Sequence, residues 1–484
     1  MPNNVFRAFP ALKSMASNVR DYISSRLSGT REEDKIINPL FEKWEKPELA
    51  GEENTLLGPL VLEGGFGYKK SKNTLEDLAK DGTIHPVLLD MLSSAPIGVE
   101  ENKANYTVPR DRKPYTHQEE SFIAACCGSS IIVSAGTGSG KTECFLYPII
   151  SDILREPSEQ RAKRGIRAIV LYPTNALIHS QEDRLVEYLN TVANRDLVNE
   201  GKRSISFCLY NSGLSESDNP STFYRVNNRK DLRNANPSAG EQGMPDILLT
   251  NFAMLEYLLL RDKDWSILKA TKDTLRHVVL DEAHTYTGAN ATEMALQIRR
   301  FLLALSDEQG NVPKVQYYAT SATFAGDEDD LESFAKGLFF ESNQIETIRG
   351  NRYAPEVVYA TEPAIDLSSI EASLKELYKE EFGIEQICEM LDINGDDKDK
   401  PENLAKYLWR INEVRKCWEW MQNADSHRFN DCCSFVNEQC HSNHDKEIIA
   451  ILLDIASLAK YKPADDNELV PLIPTRWHSI FRKF

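Results

Sequence analysis

The 484-residue chain is 41% hydrophobic and 27% charged, an ordinary composition for a folded protein that excludes disordered, collagenous and disulfide-scaffold classes. Its 56 Lys and Arg are outnumbered by 74 Asp and Glu, for a net charge of −18. A chain this acidic does not coat polyanions through bulk charge, so any nucleic-acid contact must come from individually placed groups. Nine cysteines, odd in number and partly adjacent (Cys126 with Cys127, Cys432 with Cys433), suit a reducing compartment better than a disulfide framework. No apolar run approaches the roughly 20 residues needed to span a bilayer, and the first residues hold no apolar core of signal-peptide length. The expectation is a cytoplasmic protein without a membrane partner.

Length allows roughly three domains as a prior. Residues 1–95 read as an accessory region. Ala11 to Leu27 could form an amphipathic helix, and 56–70 carries the Gly and Pro punctuation of a loop or short strand. TLEDLAKDG and HPVLLDML predict two short helices with a stop at Gly82. Between 96 and 345 short β-rich runs (SIIVSAG, AIVLYPT, SISFCLYN, DILLTN, HVVLDEA, VQYYATSAT) alternate with helical stretches. That alternation predicts an α/β domain built on a buried parallel sheet, with functional loops at the strand C-termini. From 346 to 484 the strand rhythm fades into a mainly helical segment. Leu404, Leu408, Ile411, Val414 and Trp418 fall at helical spacing there, and Lys446 to Lys460 reads as a further helix.

SAGTGSGKTE, from Ser134 to Glu143, follows a predicted strand and opens a predicted helix, the setting a phosphate-binding loop requires. Gly136, Gly138 and Gly140 let the backbone turn its N–H groups toward a phosphate chain, and the helix adds its positive end. Lys141 would reach the β- and γ-phosphates of ATP and Thr142 would hold Mg²⁺, with Ala135, Thr137 and Ser139 completing the cradle. The pattern usually opens on Gly, where this chain has Ala135. HVVLDEAH, from His277 to His284, ends a buried strand in two carboxylates. Asp281 could hold Mg²⁺ through water, Glu282 could orient and deprotonate an attacking water, and His284 could link the nucleotide to the rest of the machine.

Taken together these motifs resemble the superfamily-two DEAD/DEAH-box helicases, in family order over roughly residues 114–325. The resemblance implies a RecA-like ATP-binding domain. TSAT at 320–323 matches the family's third motif, which makes Ser321 and Thr323 coupling residues. PYTHQEE matches the region ahead of the phosphate loop and makes Gln118 the adenine reader; a Gln side chain suits adenine's donor and acceptor edge. YPTNALIHSQ and LLTNFAMLEYLLLR resemble the strand-contacting motifs, which assigns Thr174, Asn175, Thr250 and Asn251 to a single strand of DNA or RNA, DNA favoured. Thr and Asn after strands are also ordinary helix caps. Thr285, Tyr286 and Gly288 after the acid motif are similar to a branch of large bacterial helicases with a cysteine-rich C-terminal region. That branch includes phage-defence helicases of the DISARM and Druantia kind.

The sequence also departs from the family. No Gly is followed by Arg anywhere in it, so the arginine-finger motif of a second RecA-like domain is not found, and no second sheet rhythm follows residue 345. The expectation is a helicase component that binds ATP–Mg²⁺ and needs a second RecA-like domain for full hydrolysis, the chain being a fragment, a truncated product or one member of a split pair whose separate partner chain supplies that domain. The alternative is a non-enzymatic ATP-binding scaffold. Cys432, Cys433, Cys440, His441 and His444 lack the paired spacing of a zinc site and read as core or loop residues. Cys126 and Cys127 read as buried. Trp409, Trp418 and Trp420 read as core packing on helices.

Overall fold

A computed structural model describes residues 10–14, 17, 60–64, 67–100, 104–136, 138–238, 242–286, 288–321, 328–339, 344–353, 363–379, 382–393, 395, 399–423, 428–463 and 469–478. The chain divides into two compact units, Tyr68–Asn351 and the pair Met1–Gly67 with Arg352–Phe484.

The first unit is built on eight strands: β1 (Ser130–Ser134), β2 (Ala168–Tyr172), β3 (Phe207–Leu209), β4 (Arg225–Val226), β5 (Ile247–Asn251), β6 (His277–Leu280), β7 (Gln316–Ser321) and β8 (Ile345–Arg349). They form one sheet in the order β4-β3-β5-β2-β6-β7-β1-β8, and every pairing is parallel. The six β-rich runs read from the sequence all supply strands. Their near-continuous apolar character reflects burial on both faces. Alternate residues go to opposite sides. Ile131, Val133, Val170, Leu249 and Val279 join the core under helices Leu75–Lys80, Pro86–Ser93, Thr116–Cys126, Lys141–Arg155 and Asn175–Leu189. Ile132, Leu171, Leu248, Leu280 and Ala319 join the core under Phe252–Leu260, Trp265–Thr271 and Ala289–Ala304. The result is a three-layer α/β/α sandwich, the α/β class read from the sequence.

The 96–345 boundaries are too narrow for this unit. Leu75, Leu78, Leu88, Leu89 and Leu92 pack into the same core as Ile149, Ile150 and Ile153, so the two short helices belong to the sheet domain. Their stop is where the sequence put it, with Gly82 at φ +86°. At the other end, Ile345–Arg349 pairs with β1. This edge strand has only Ile345 and Ile348 as apolar residues among Glu346, Thr347 and Arg349 and so lacked the continuous apolar run that marked the buried strands. Cys126 and Cys127 are exposed rather than buried, because the helix Thr116–Cys126 turns inward through His117, Gln118, Ser121, Phe122 and Ala125 and ends at that point.

The second unit is mainly helical, as expected of its C-terminal part. The segment 404–418 is two helices, Lys400–Trp409 and Asn412–Asn423, broken at Ile411. Val61–Gly64 pairs antiparallel with Thr475–His478. Asp454, nearly fully buried, accepts hydrogen bonds from the Tyr378 hydroxyl (2.6 Å) and the Trp477 indole (2.9 Å). Trp409 and Trp418 meet edge to face at 5.8 Å. Cys432 and Cys433 are buried. Among the described residues no group of three or more His, Cys, Asp or Glu is arranged to hold a metal ion, and no helix is long and apolar enough to cross a membrane. The predicted helix from Ala11 to Leu27 lies largely outside the described residues; 10–14 and 17 are helical.

An ion network ties the N-terminal edge of the sheet. Asp246, wholly buried, accepts from Arg161 at 2.5 and 2.9 Å, from Arg203, and from the Ser206 N–H at 3.1 Å. Burial alone would raise its pKa, but Arg161 and Arg203 outweigh that and hold it well below the usual carboxylate range. Asp246→Asn leaves two guanidinium groups short of their counter-charge. Denaturant unfolding should show a loss of about 3–5 kcal/mol. The loss should be the same from pH 8 to about pH 5, because a carboxyl with a depressed pKa contributes in full above its unfolded value near 3.9.

Candidate nucleotide and strand site

Parallel register brings the strand ends to one edge. Ser134 stands opposite Ser321, Tyr172 opposite Asn251, and Leu171 opposite both Leu280 and Thr250. The segments following β1, β2, β5, β6 and β7 therefore emerge side by side, where ligands bind in open α/β sheets.

The phosphate loop leaves β1 at Ser134. The Ala135 N–H donates to the Ser321 carbonyl (3.1 Å) and the Gly136 N–H to the Tyr68 hydroxyl (2.6 Å). Gly138 and Gly140 take positive φ, +77° and +73°, a region costly to other residues. At Gly140 a Cβ would also sit 2.2 Å from Gln118 Nε2, so the Gln118 amide would have to leave its place against the loop. Gly140 caps the helix Lys141–Arg155 with no side-chain hydrogen bond, so its first N–H groups are available to an anion. Thr137 lies outside the described residues.

Lys141, 7% exposed, folds back so that Nζ donates to the Ala135 carbonyl (3.0 Å) and lies 3.6 Å from Glu282 Oε1. The two motifs recognised separately in the sequence thus meet at one point. Asp281 is 5% exposed and accepts a short hydrogen bond from the Thr320 hydroxyl. Burial and the adjacent Glu282 raise its pKa, while Thr320 and Lys141 pull it down; the balance is upward. Glu282 adopts a left-handed conformation at φ +51°, unusual for a residue with a side chain. Its N–H donates to Asp281 Oδ1 (3.1 Å) and Thr320 Oγ1 (3.2 Å), which holds the kink. His284 Nδ1 lies 3.3 Å from Glu282 Oε2, close enough for an ion pair but not aligned as a hydrogen bond.

These donors fit a magnesium–triphosphate. The Thr142 hydroxyl and Asp281 carboxylate form an all-oxygen set of the kind Mg²⁺ takes alongside phosphate oxygens and water. The Ser139 hydroxyl is buried without a partner inside the loop.

Gln118 is buried. Its Oε1 accepts from the Tyr115 N–H (2.9 Å) and its Nε2 donates to the Gly140 carbonyl (3.1 Å), which leaves one donor and one acceptor site on the amide. His117 was missed in the sequence, although it lies inside PYTHQEE. Its Nε2 is 2.9 Å from the Ser139 carbonyl, so that nitrogen carries the hydrogen. Burial lowers its pKa, and Nδ1 is buried without a partner. Tyr115 stacks on His117 at 5.6 Å and Tyr68 meets it edge-on at 5.1 Å. Tyr68 carries no motif signal at all; only the fold brings it to the loop.

Ser321 ends β7, fully buried, beside the loop. Thr323 lies outside the described residues. Thr174 and Asn251 are helix N-caps, accepting from the Leu177 N–H (3.4 Å) and the Met254 N–H (2.9 Å). Asn251 Nδ2 donates to Asn175 Oδ1 (2.7 Å), which joins two of the motifs assigned to a strand. Thr250 corrects that assignment: it is wholly buried and its hydroxyl donates to the Tyr210 carbonyl (2.8 Å), so its side chain faces the core, one alternation away from Asn251.

A strand-edge phosphate loop closed by a paired acidic turn defines a P-loop nucleotide-binding domain. Residues 115–331 match the DEAD/DEAH box helicase family, and the chain carries a helicase domain of that family. It is 26% identical over 476 residues to the Druantia protein DruE of Escherichia coli (strain UMEA 4076-1), covering 78% of this chain and 24% of that protein. It is 29% identical over 212 residues to the uncharacterized ATP-dependent helicase YprA of Bacillus subtilis (strain 168), covering 44% and 23%. The chain thus spans about a quarter of the length of these relatives. Among solved structures, the DUF1998 helicase MrfA bound to DNA is similar at 22% identity and a TM-score of 0.39, over 62% of this chain and 31% of that one.

Gly140→Ala forces a Cβ into both a left-handed φ and the Gln118 amide. The expected result is a loss of at least about 1 kcal/mol in denaturant unfolding, together with loss of nucleotide binding measured by calorimetry.

Proposed function

We propose that this chain is a component of an ATP-dependent nucleic-acid helicase or translocase. It binds ATP–Mg²⁺ on Ala135–Thr142 and a single strand, DNA favoured, along the segment ends that carry Thr174, Asn175 and Asn251. The observation that carries this reading is the approach of Lys141 to Glu282 at 3.6 Å. A buried lysine paired to the base restrains it, and a triphosphate offers the ammonium a stronger partner. Transfer of Lys141 to the phosphates releases Glu282 to orient and deprotonate water. His284, beside the other carboxylate oxygen, keeps Glu282 in place as it is released. Magnesium, when bound with ATP, supplies neutralisation of the phosphate oxygens. Ser321, through the Ala135 N–H, gives the loop a mechanical link to β7.

Full turnover requires a second RecA-like domain with its arginine finger, whose loss costs about 10³–10⁵ in turnover in related phosphoryl-transfer machines. The domain divisions follow from this reading, with the sheet unit as motor half and the mainly helical unit as accessory. The likeness to the Druantia protein supports a role in defence against phage, and the reduced cysteines support a cytoplasmic setting.

The test uses the purified 484-residue chain. A fluorescent ATP analogue with Mg²⁺ should bind, Lys141→Ala should abolish binding, and Glu282→Gln should keep it. Phosphate release should be slow and should rise when a polypeptide carrying a second RecA-like domain is added with single-stranded DNA. In that mixture Glu282→Gln should lower turnover about 10²–10⁴-fold. Robust DNA-stimulated turnover by the chain alone would refute the need for a second domain. Nucleotide binding without turnover in any mixture would instead favour a non-enzymatic scaffold.

A further inference from the structure

A cavity of about 310 Å³ opens beside Asn175, on the strand side of the sheet domain. Its walls are the helix Asn175–Leu189, the segment after β3 at Asn211–Leu214, and the flanks of β4 at Arg225–Asn227, with Asn219 completing the rim. The volume lies at the lower end of the range for small-ligand sites, about 300–1,000 Å³. Of its lining residues only Asn175 and His179 fall in a motif read from the sequence, YPTNALIHSQ.

Three features define what it would take. The first is a directed donor. Asn211 is only 7% exposed, and its Oδ1 accepts from the Gly213 N–H at 2.9 Å. A backbone N–H requires the amide oxygen at that place, so the orientation is set and Nδ2 is left to the cavity the residue lines. The second is a matching acceptor. Asn227 Nδ2 donates to the Pro220 carbonyl at 2.9 Å, which leaves Oδ1 as its open group. The third is a neutralised cation. Arg225 is paired with Glu182 at 2.5 Å, and the other oxygen of Glu182 lies 3.1 Å from His179 Nδ1. The cavity therefore offers a flat guanidinium without free positive charge. That is a poor seat for a phosphate and a good stacking surface for a neutral heteroaromatic ring.

We propose that this cavity is a nucleobase subsite, in which one base of the bound strand stacks on Arg225 while Asn211 Nδ2 and Asn227 Oδ1 pair with its edge. The proposal rests on the single-strand reading above. It adds that the chain grips a strand through a base as well as through its backbone. A thymine edge, with a carbonyl acceptor next to a ring N–H donor, meets this donor and acceptor pair.

The experiment compares a labelled oligothymidylate with a fully abasic oligomer of the same length, by fluorescence anisotropy, on the full chain loaded with ATP analogue and Mg²⁺. The wild-type chain should prefer the thymidine oligomer by about tenfold, the worth of one stacked base. Asn211→Asp keeps the acceptor for Gly213 but turns the donor into an acceptor, and Arg225→Lys keeps the ion pair but removes the plane. Both should bind ATP normally and lose the preference, with abasic affinity unchanged. Equal wild-type affinity for both oligomers, or equal weakening of both in Asn211→Asp, would overturn the base subsite while leaving strand binding standing. If neither oligomer binds ATP-loaded wild type, the strand reading itself fails and the subsite with it.

Discussion

A buried ammonium and a carboxylate 3.6 Å apart, with a second carboxylate alongside, form the arrangement on which the site turns. Lys141 has two protein acceptors in this state, the Ala135 carbonyl and Glu282. In the proposed reading a triphosphate is the stronger partner for this ammonium, and pairing with Lys141 restrains Glu282 from acting as the base. The same contact ties the phosphate loop to the acidic turn, so the two motifs are held against each other.

That contact exists because the parallel strands β6, β7 and β1 lie side by side and end at the same edge of the sheet. The Thr320 hydroxyl links Asp281 and the Glu282 N–H across adjacent strands, and the Ser321 carbonyl takes the first N–H of the phosphate loop. A slip of one residue in any of these strands would turn its last side chain to the opposite face. Thr250 and Asn251 show this directly: adjacent in sequence, one is buried against Tyr210 and the other caps a helix beside Asn175.

The loop is also braced from outside its motif. His117 and Gln118 take the carbonyls of Ser139 and Gly140, and Tyr68 takes the N–H of Gly136. Tyr68 and Tyr115 close around His117. Both ends of the loop are thus tied to side chains outside it, of which only Gln118 was given a ligand contact in the sequence pattern. Such support is what keeps N–H groups aimed at a phosphate before it binds.

The sequence by itself determined the chemistry that is local. Gly, Lys and Thr after a strand, and two acids after another, predict a tight glycine turn opening a helix and a paired acidic turn, because each depends only on short-range geometry. Continuous apolar runs likewise declared the buried strands and the α/β class. What only the tertiary structure decided is what depends on distant partners. The edge strand Ile345–Arg349 is half polar and joins the sheet through β1. Tyr68 reaches the loop through packing alone. The cavity at Asn211, Arg225 and Asn227 draws its walls from segments whose spacing encodes nothing. Periodicity reports which way a residue faces along its own element, but the identity of the group opposite is a property of the folded chain.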